Sequence, residues 1–242
     1  MAVSIDTVYQ KVLALANKEQ RGYITPQDFN LFASQAQLEI FEQYFYDLNQ
    51  ARKVQGNDTN IADIDDILEQ KISIFEHTPT STEITGYTAG SNGGVVLPDN
   101  MHRILFVGVV NSSGVVECEL LNTRDFINSK RNPLTRPSEY RPTASMQGKL
   151  LRCNKGGATD VVPTSLTYIK KPSIPNWTYA VVNKRAMYNA TINTKNFELH
   201  ASEEIQLVNK ILKLAGLAIQ QLDVVRAGSG MESVISQQQS KI

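Results

Sequence analysis

Residues 202–225 read SEEIQLVNKILKLAGLAIQQLDVV, and their pattern decides the expected fold. Ser202 is a helix-capping residue type, and Glu203 and Glu204 put negative charge in the first turn, where unpaired amides favour it. Ile205, Val208, Leu212, Ala215, Ile219 and Leu222 then recur every three or four residues. Leu207, Ile211, Leu214 and Ala218 flank that seam. So wide an apolar face predicts a helix inside a bundle. The β-type segments before it have one another to cover, so its partners are expected among the N-terminal helices.

Those helices are legible in the first third of the chain. Ser4 caps a helix with Val8, Val12 and Leu15 on one face, and Gly22 stops it. Thr25 caps a second, with Pro26 at the first helical position and Asp28 in the first turn. Its stripe is Phe29, Ala33, Ala36, Ile40, Tyr44 and Leu48, broadened by Phe32, Phe41 and Phe45, and it runs to about Lys53. After the loop Gln55-Gly56-Asn57-Asp58, a third helix is predicted over Ile61–Phe75.

Beyond His77 the character changes. Residues 78–100 are rich in Thr, Ser and Gly and nearly uncharged, and read as a connector with short strands. From Arg103 to Lys171, strand-length apolar runs alternate with turn residues: Ile104–Val110, Val115–Leu121, Lys149–Cys153 and Ser165–Ile169. Ser112-Ser113-Gly114 joins the first two as a hairpin, and Thr123–Ser129 reads as one short helix. Lys171 to Trp177 is an extended, Pro-containing linker with Trp177 as its aromatic anchor. The expected fold class is α+β: a helical bundle formed by N-terminal helices and a long C-terminal helix, with a small β-rich domain, sandwich- or barrel-like, inserted between. Expected boundaries are 1–77 for the N-terminal helices, 78–200 for the insert, 201–225 for the bundle helix and 226–242 for a C-terminal arm.

The chain has 242 residues, 41% hydrophobic, enough for a packed core. No apolar run approaches the ~18–20 residues of a membrane span, and no membrane partner is expected. The opening MAVSIDTVYQK reads without a secretory leader. Cys118 and Cys153 are the two cysteines, without a CxxC, which excludes a disulfide scaffold and the usual zinc ribbons. A protein of a reducing cytosol, or of something assembled there, is the expectation.

Motifs that carry chemistry are scarce. His77, His102 and His200 are scattered. Asp63, Asp65, Asp66 and Glu69 lack the glycine and spacing of a calcium loop and read as a solvated helix face. Gly86, Gly90, Gly93 and Gly94 form no phosphate-binding pattern. Cys153 lies beside Arg152 and Lys155, which would lower its thiol pKa, but no partner histidine is near in sequence. No catalytic residue, cofactor or metal is expected.

Charge is where the chain is unusual. Lys+Arg and Asp+Glu are equal at 24 each. Residues 1–100 carry 6 against 14, residues 101–195 carry 14 against 5, and residues 196–242 carry 4 against 5. One reading is two differently solvated faces; the other is an acidic part of one copy meeting a basic part of the next, head to tail. Arg124, Lys130, Arg131, Arg136 and Arg141 head the basic stretch, with Lys149, Arg152 and Lys155 after them. Phe126 and Tyr140 are its few aromatics, which excludes base stacking. Protein contact and sequence-independent contact with double-stranded DNA both stay open. In the arm, Met231, Val234 and Ile235 are spaced for one apolar turn that docks on a neighbour or folds back.

The layout resembles the head-to-tail connector proteins of short-tailed bacteriophages, the tail tubular protein A-like adaptors, and in particular the neck ring proteins of crAss-like phages. The resemblance rests on the turn Arg21-Gly22-Tyr23-Ile24-Thr25-Pro26-Gln27-Asp28-Phe29, and on Tyr168-Ile169-Lys170-Lys171-Pro172 followed by Pro175-Asn176-Trp177. It rests also on Phe197-Glu198-Leu199-His200 leading into the helix Glu203–Val225. His200 stands where many family members have Pro. The resemblance implies a structural virion protein without catalysis, assembled in the host cytoplasm into a closed ring of about twelve copies. Its implied partners are itself, the portal protein and neighbouring neck or tail ring proteins, with the genome passing through the lumen. A β-rich attachment or ligand-binding module is the alternative. Arg124, Lys130, Arg131, Arg136, Arg141, Trp177, Met231, Val234 and Ile235 are the expected interface residues.

Overall fold

The computed structural model describes residues 3–17, 24–53, 59–87, 93–112, 114–183, 185–191 and 193–218. In chain order the elements are α1 (Ile5–Asn17), α2 (Pro26–Lys53), α3 (Thr59–Ser73), β1 (Glu76–His77), α4 (Ser81–Gly86), β2 (Val95–Val96), β3 (Met101–Asn111), β4 (Gly114–Glu117), β5 (Glu119–Leu121), α5 (Thr123–Arg131), β6 (Thr143–Gln147), β7 (Leu150–Asn154), β8 (Ser165–Lys170), β9 (Tyr179–Val182), β10 (Arg185–Tyr188) and α6 (Glu204–Ala218). Two compact units form: residues 1–74 with 172–242, and residues 75–171.

In the first unit α6 packs on α1 and α2, and α3 packs on α2. The start of α2 follows its sequence. The Thr25 hydroxyl accepts from the Asp28 amide at 3.2 Å, and Phe29, Ala33, Ala36, Ile40, Phe41 and Tyr44 are buried below it. Two polar residues of α2 lace extended chain onto the helix. Gln37 donates to the Ser173 carbonyl at 2.7 Å and accepts from the Glu198 amide at 3.2 Å. Asn30 donates to the Trp177 carbonyl at 3.1 Å and accepts from its amide at 2.8 Å. Buried amides hold here because both ends are satisfied by backbone. Glu203, also buried, is met by Lys71 at 2.6 Å. Next to it the buried Tyr44 hydroxyl has its pKa pushed up, by burial first and then by the Glu203 charge.

The second unit holds two four-stranded sheets, ordered β1-β8-β3-β4 and β2-β7-β6-β5. All pairs are antiparallel except β5 with β6. The chain leaves the first sheet with β4 and joins the second with β5, and Cys118 is the single residue between. Residues of both sheets form one core, with Val107, Leu166 and Tyr168 on one side and Ala144, Leu151 and Cys153 on the other. α4 adds Ile84. Its start carries a capping box, the Thr80 side chain accepting from the Glu83 amide while the Glu83 carboxylate accepts from the Thr80 amide.

The expected fold class is overturned. The chain is a mixed α/β protein with six helices and three sheets of four, four and two strands among the described residues. Among the described residues there is no long C-terminal helix: α6 spans 15 residues and packs on α1 and α2, and residues 219–225 of the expected helix lie outside the described residues. The seam read from the sequence is buried at Val208, Leu212 and Ala215 and departs from expectation, among its described residues, at Ile205 alone. Ile205 is 66% exposed, whereas Leu207, Val208, Ile211, Leu212 and Ala215 are the buried set. Ser202 does not cap α6. It lies in a 3₁₀ turn, Ala201–Glu203, whose cap is His200 accepting from the Ser202 amide. Glu203 takes an inward position there, held by Lys71, and Ile205 takes an outward one. Residues 172–200, placed with the β-rich insert on sequence, cluster with the helices and form the two-stranded sheet β9–β10 there.

Candidate functional site

The basic stretch splits into residues that face inward and residues that do not. Lys130, on α5, and Arg152, on β7, both reach Asp160, whose side chain is 1% exposed; Arg152 Nε lies 2.8 Å from it. Asn154 adds a third donor at 3.1 Å. Burial alone would raise the Asp160 pKa, but the bonds from Lys130, Asn154 and Arg152 outweigh it and hold the carboxyl below its ordinary value. Phe126 fills the space beneath, with the Lys130 ammonium 4.3 Å and the Arg152 guanidinium 5.7 Å from its ring centre. Gly93, with φ +82, lies against the Asp160 backbone, where a Cβ would run into the carbonyl. Lys130 is therefore part of an internal hub.

Arg141 gives two bonds to one oxygen of Glu119, at 3.0 and 2.8 Å, and Lys149 meets Asp99 at 2.6 Å. Arg136 donates to the Gly156 carbonyl at 3.2 Å. Arg124 and Arg131 are exposed on α5. Between α5 and β6 the chain forms a loop whose Leu134 is 93% exposed and whose Tyr140 is exposed beside Arg141. Divided by unit instead of by linear thirds, the charge is nearly even. The helical unit has 13 Lys+Arg against 16 Asp+Glu, and the β-rich unit 11 against 8. The strong segregation along the sequence is thus largely dissolved, because residues 172–195 bring three cations to the helical unit and Glu76, Glu83 and Asp99 bring three carboxylates to the β-rich one.

Trp177 is 2% exposed. Its Nε1 donates to Asp6 at 3.0 Å, and its ring lies against Tyr9, Tyr179 and Tyr188 with centres 4.1, 5.7 and 6.0 Å away. It pins β9–β10 to α1 from within one protomer. Met231, Val234 and Ile235 lie outside the described residues.

Cys153 is fully buried, and its thiol is pushed up by its hydrogen bond with Cys118 and by burial. Arg152, its neighbour in sequence, points to the opposite face of the strand, as the two-residue period requires, so the expected lowering does not occur. Asp63, Asp65, Asp66 and Glu69 fall on α3 and not in a loop. Among the described residues no group of three or more His, Cys, Asp or Glu could hold a metal ion, and no helix is long and apolar enough to cross a membrane.

Two features were missed on sequence. One is the ribbon β9–β10, paired from Tyr179–Tyr188 to Val182–Arg185. Tyr188 faces Trp177, while Val181 is 69% exposed and Val182 and Met187 are also open to solvent. The signal was present as two short β-type runs flanking Asn183, which takes φ +50 in the turn. The other is a hollow of about 320 Å³ beside α5 and the β5–β6 edge, lined among others by Glu119, Asp125, Asn128, Asn132, Arg141 and Thr143. Asp125 and Asn128 share a face of α5 at i and i+3, and Asn132 follows at its C-cap. No protein-family model matches the chain, and no curated protein matches it.

Proposed function

We propose that the chain is a structural subunit of a virion: a head-to-tail connector that links portal to tail, forms a closed ring of about twelve copies and lines part of the genome channel. The observation that carries this reading is the ribbon β9–β10. It is a two-stranded sheet with Val181, Val182 and Met187 open to solvent. Two strands alone are marginal in water, and apolar side chains left outward on them gain by meeting another chain. The exposed Leu134 and Tyr140, set among arginines, offer a second contact of the same kind. Partners in this reading are further copies of the chain, the portal protein and adjoining neck or tail rings. DNA contact through exposed cations such as Arg124 and Arg131 is sequence-independent and salt-sensitive.

Native mass measurement of the purified chain, alone and with portal protein, tests the proposal. A ring in either sample supports it. A monomer in both, with no portal complex, overturns it.

A further inference from the structure

α2 has a second face besides the one it buries. Asp28, Leu31, Gln35, Leu38, Glu42 and Tyr46 recur along it every three or four residues, and all six are exposed. From Pro26 to Gln50 the helix carries four carboxylates and no Lys or Arg. Glu39 is met by Lys210 at 3.7 Å, but no ion pair engages Glu42 among the described residues. The face is therefore apolar and acidic at once. Its two leucines, one heptad apart, gain by being covered, and the carboxylates between them select a basic cover.

The β-rich unit carries a surface of the opposite kind. Arg124, Ile127 and Arg131 share the outer face of α5 at i, i+3 and i+7, and all three are exposed. The loop that follows adds Leu134, the most exposed large apolar side chain described. Residues 124–141 hold five Lys+Arg against two Asp+Glu. Lys130 is turned inward to Asp160 and Arg141 is paired with Glu119, while no ion pair engages Arg124 or Arg131 among the described residues. Each surface set against itself would bring like charges together; set against each other they match in both charge and apolar content. Two unlike, complementary patches on one chain are what a head-to-tail contact requires.

We propose that the outer face of α2 in one copy receives the Arg124–Arg131 ridge and Leu134 of a second copy. This rests on the ring reading and names the two patches that would close it. The full chain is followed by sedimentation and native mass under conditions in which the wild-type ring forms. Gln35→Lys with Glu42→Lys reverses the α2 face, and Arg124→Glu with Arg131→Glu reverses the ridge. Each variant alone is expected to need at least tenfold more protein for half-assembly, with melting unchanged. An equimolar mixture of the two is expected to assemble again, because alternating copies bring opposite charges together at every contact. A chain with all four substitutions should do so by itself. Should a charge variant unfold, Leu134→Asp takes its place: a monomer with unchanged melting supports the contact, and an intact ring overturns it. A mixture no better than its components, or a ring that persists in either variant, overturns this proposal and leaves the ring reading standing. A wild-type chain that is monomeric with and without portal overturns both.

Discussion

Asp160 carries two cations, both lying over the Phe126 ring. Its folded pKa lies below the ordinary 3.8. The stabilisation is therefore complete above that value and is lost as pH falls through the folded pKa. Asp160→Asn is expected to destabilise the protein towards the low end of the roughly 3–5 kcal/mol seen when a buried pair is broken, since Lys130 and Arg152 keep some solvent access. The variant should also lose the acid dependence. Urea unfolding at neutral pH and near about pH 3 checks both; an unchanged acid slope would contradict the assignment. Trp177 makes the second case at this scale. Trp177→Ala should cost about 3–5 kcal/mol, and Trp177→Phe should still cost about 1–3 kcal/mol because Asp6 loses its donor. Denaturant midpoints give the comparison, and near-zero values for Phe would show that the Nε1 bond to Asp6 carries little. Neither role was legible. A tryptophan after two prolines reads as an anchor, but what it anchors to, Tyr9 and Asp6, lies about 170 residues away.

At the scale of elements, the spacing of α6 was legible and its first residue was not. Both apolar rows, Val208, Leu212 and Ala215 and the flanking Leu207 and Ile211, are buried, and only Ile205, just after the turn at Ala201–Glu203, faces out. Ile211→Ala is expected to cost about 2–5 kcal/mol, and Ile205→Ala less than about 0.5 kcal/mol. Thermal or urea unfolding of the two variants side by side decides it; equal losses would mean that Ile205 is covered as Ile211 is. α2 was fully legible from Thr25 and Pro26 to Lys53 because caps and stripe agree. α4 was not, since six residues show no periodicity, although the Thr80 to Glu83 capping pair was in view. The ribbon β9–β10 escaped for a similar reason: four-residue strands rely on Trp177 beneath them more than on their own composition.

For the whole molecule, the charge pattern needs restating. Division by folded unit leaves a difference of a few charges, so head-to-tail attraction between whole units is weak, and any electrostatic contribution to assembly is local. If the chain forms the proposed ring, reversing Arg124, Arg131 and Arg136, which leaves the Lys130–Asp160 pair in place, should weaken it, and more so at low salt where screening is least. Sedimentation at two ionic strengths reads this, and unchanged assembly would take those arginines out of the ring contact. Val181→Lys together with Met187→Lys should block oligomer formation while helix content and melting are retained, because both side chains are open to solvent in the protomer. Loss of folding in that variant would mean that the ribbon serves the protomer and not its partners.

The second unit begins and ends at the same place. Glu76 lies opposite Ile169 on paired strands, and the Lys170 amide bonds the Phe75 carbonyl at 2.9 Å. Chain therefore enters and leaves it through one narrow gate, so an interruption of nearly a hundred residues asks little more of the host helices than a tight turn would. Such a cassette is portable. Gln37 and Asn30 hold the extended chain that follows it through contacts that involve no residue of the insert, so what the insert carries on its surface is uncoupled from what anchors its exit.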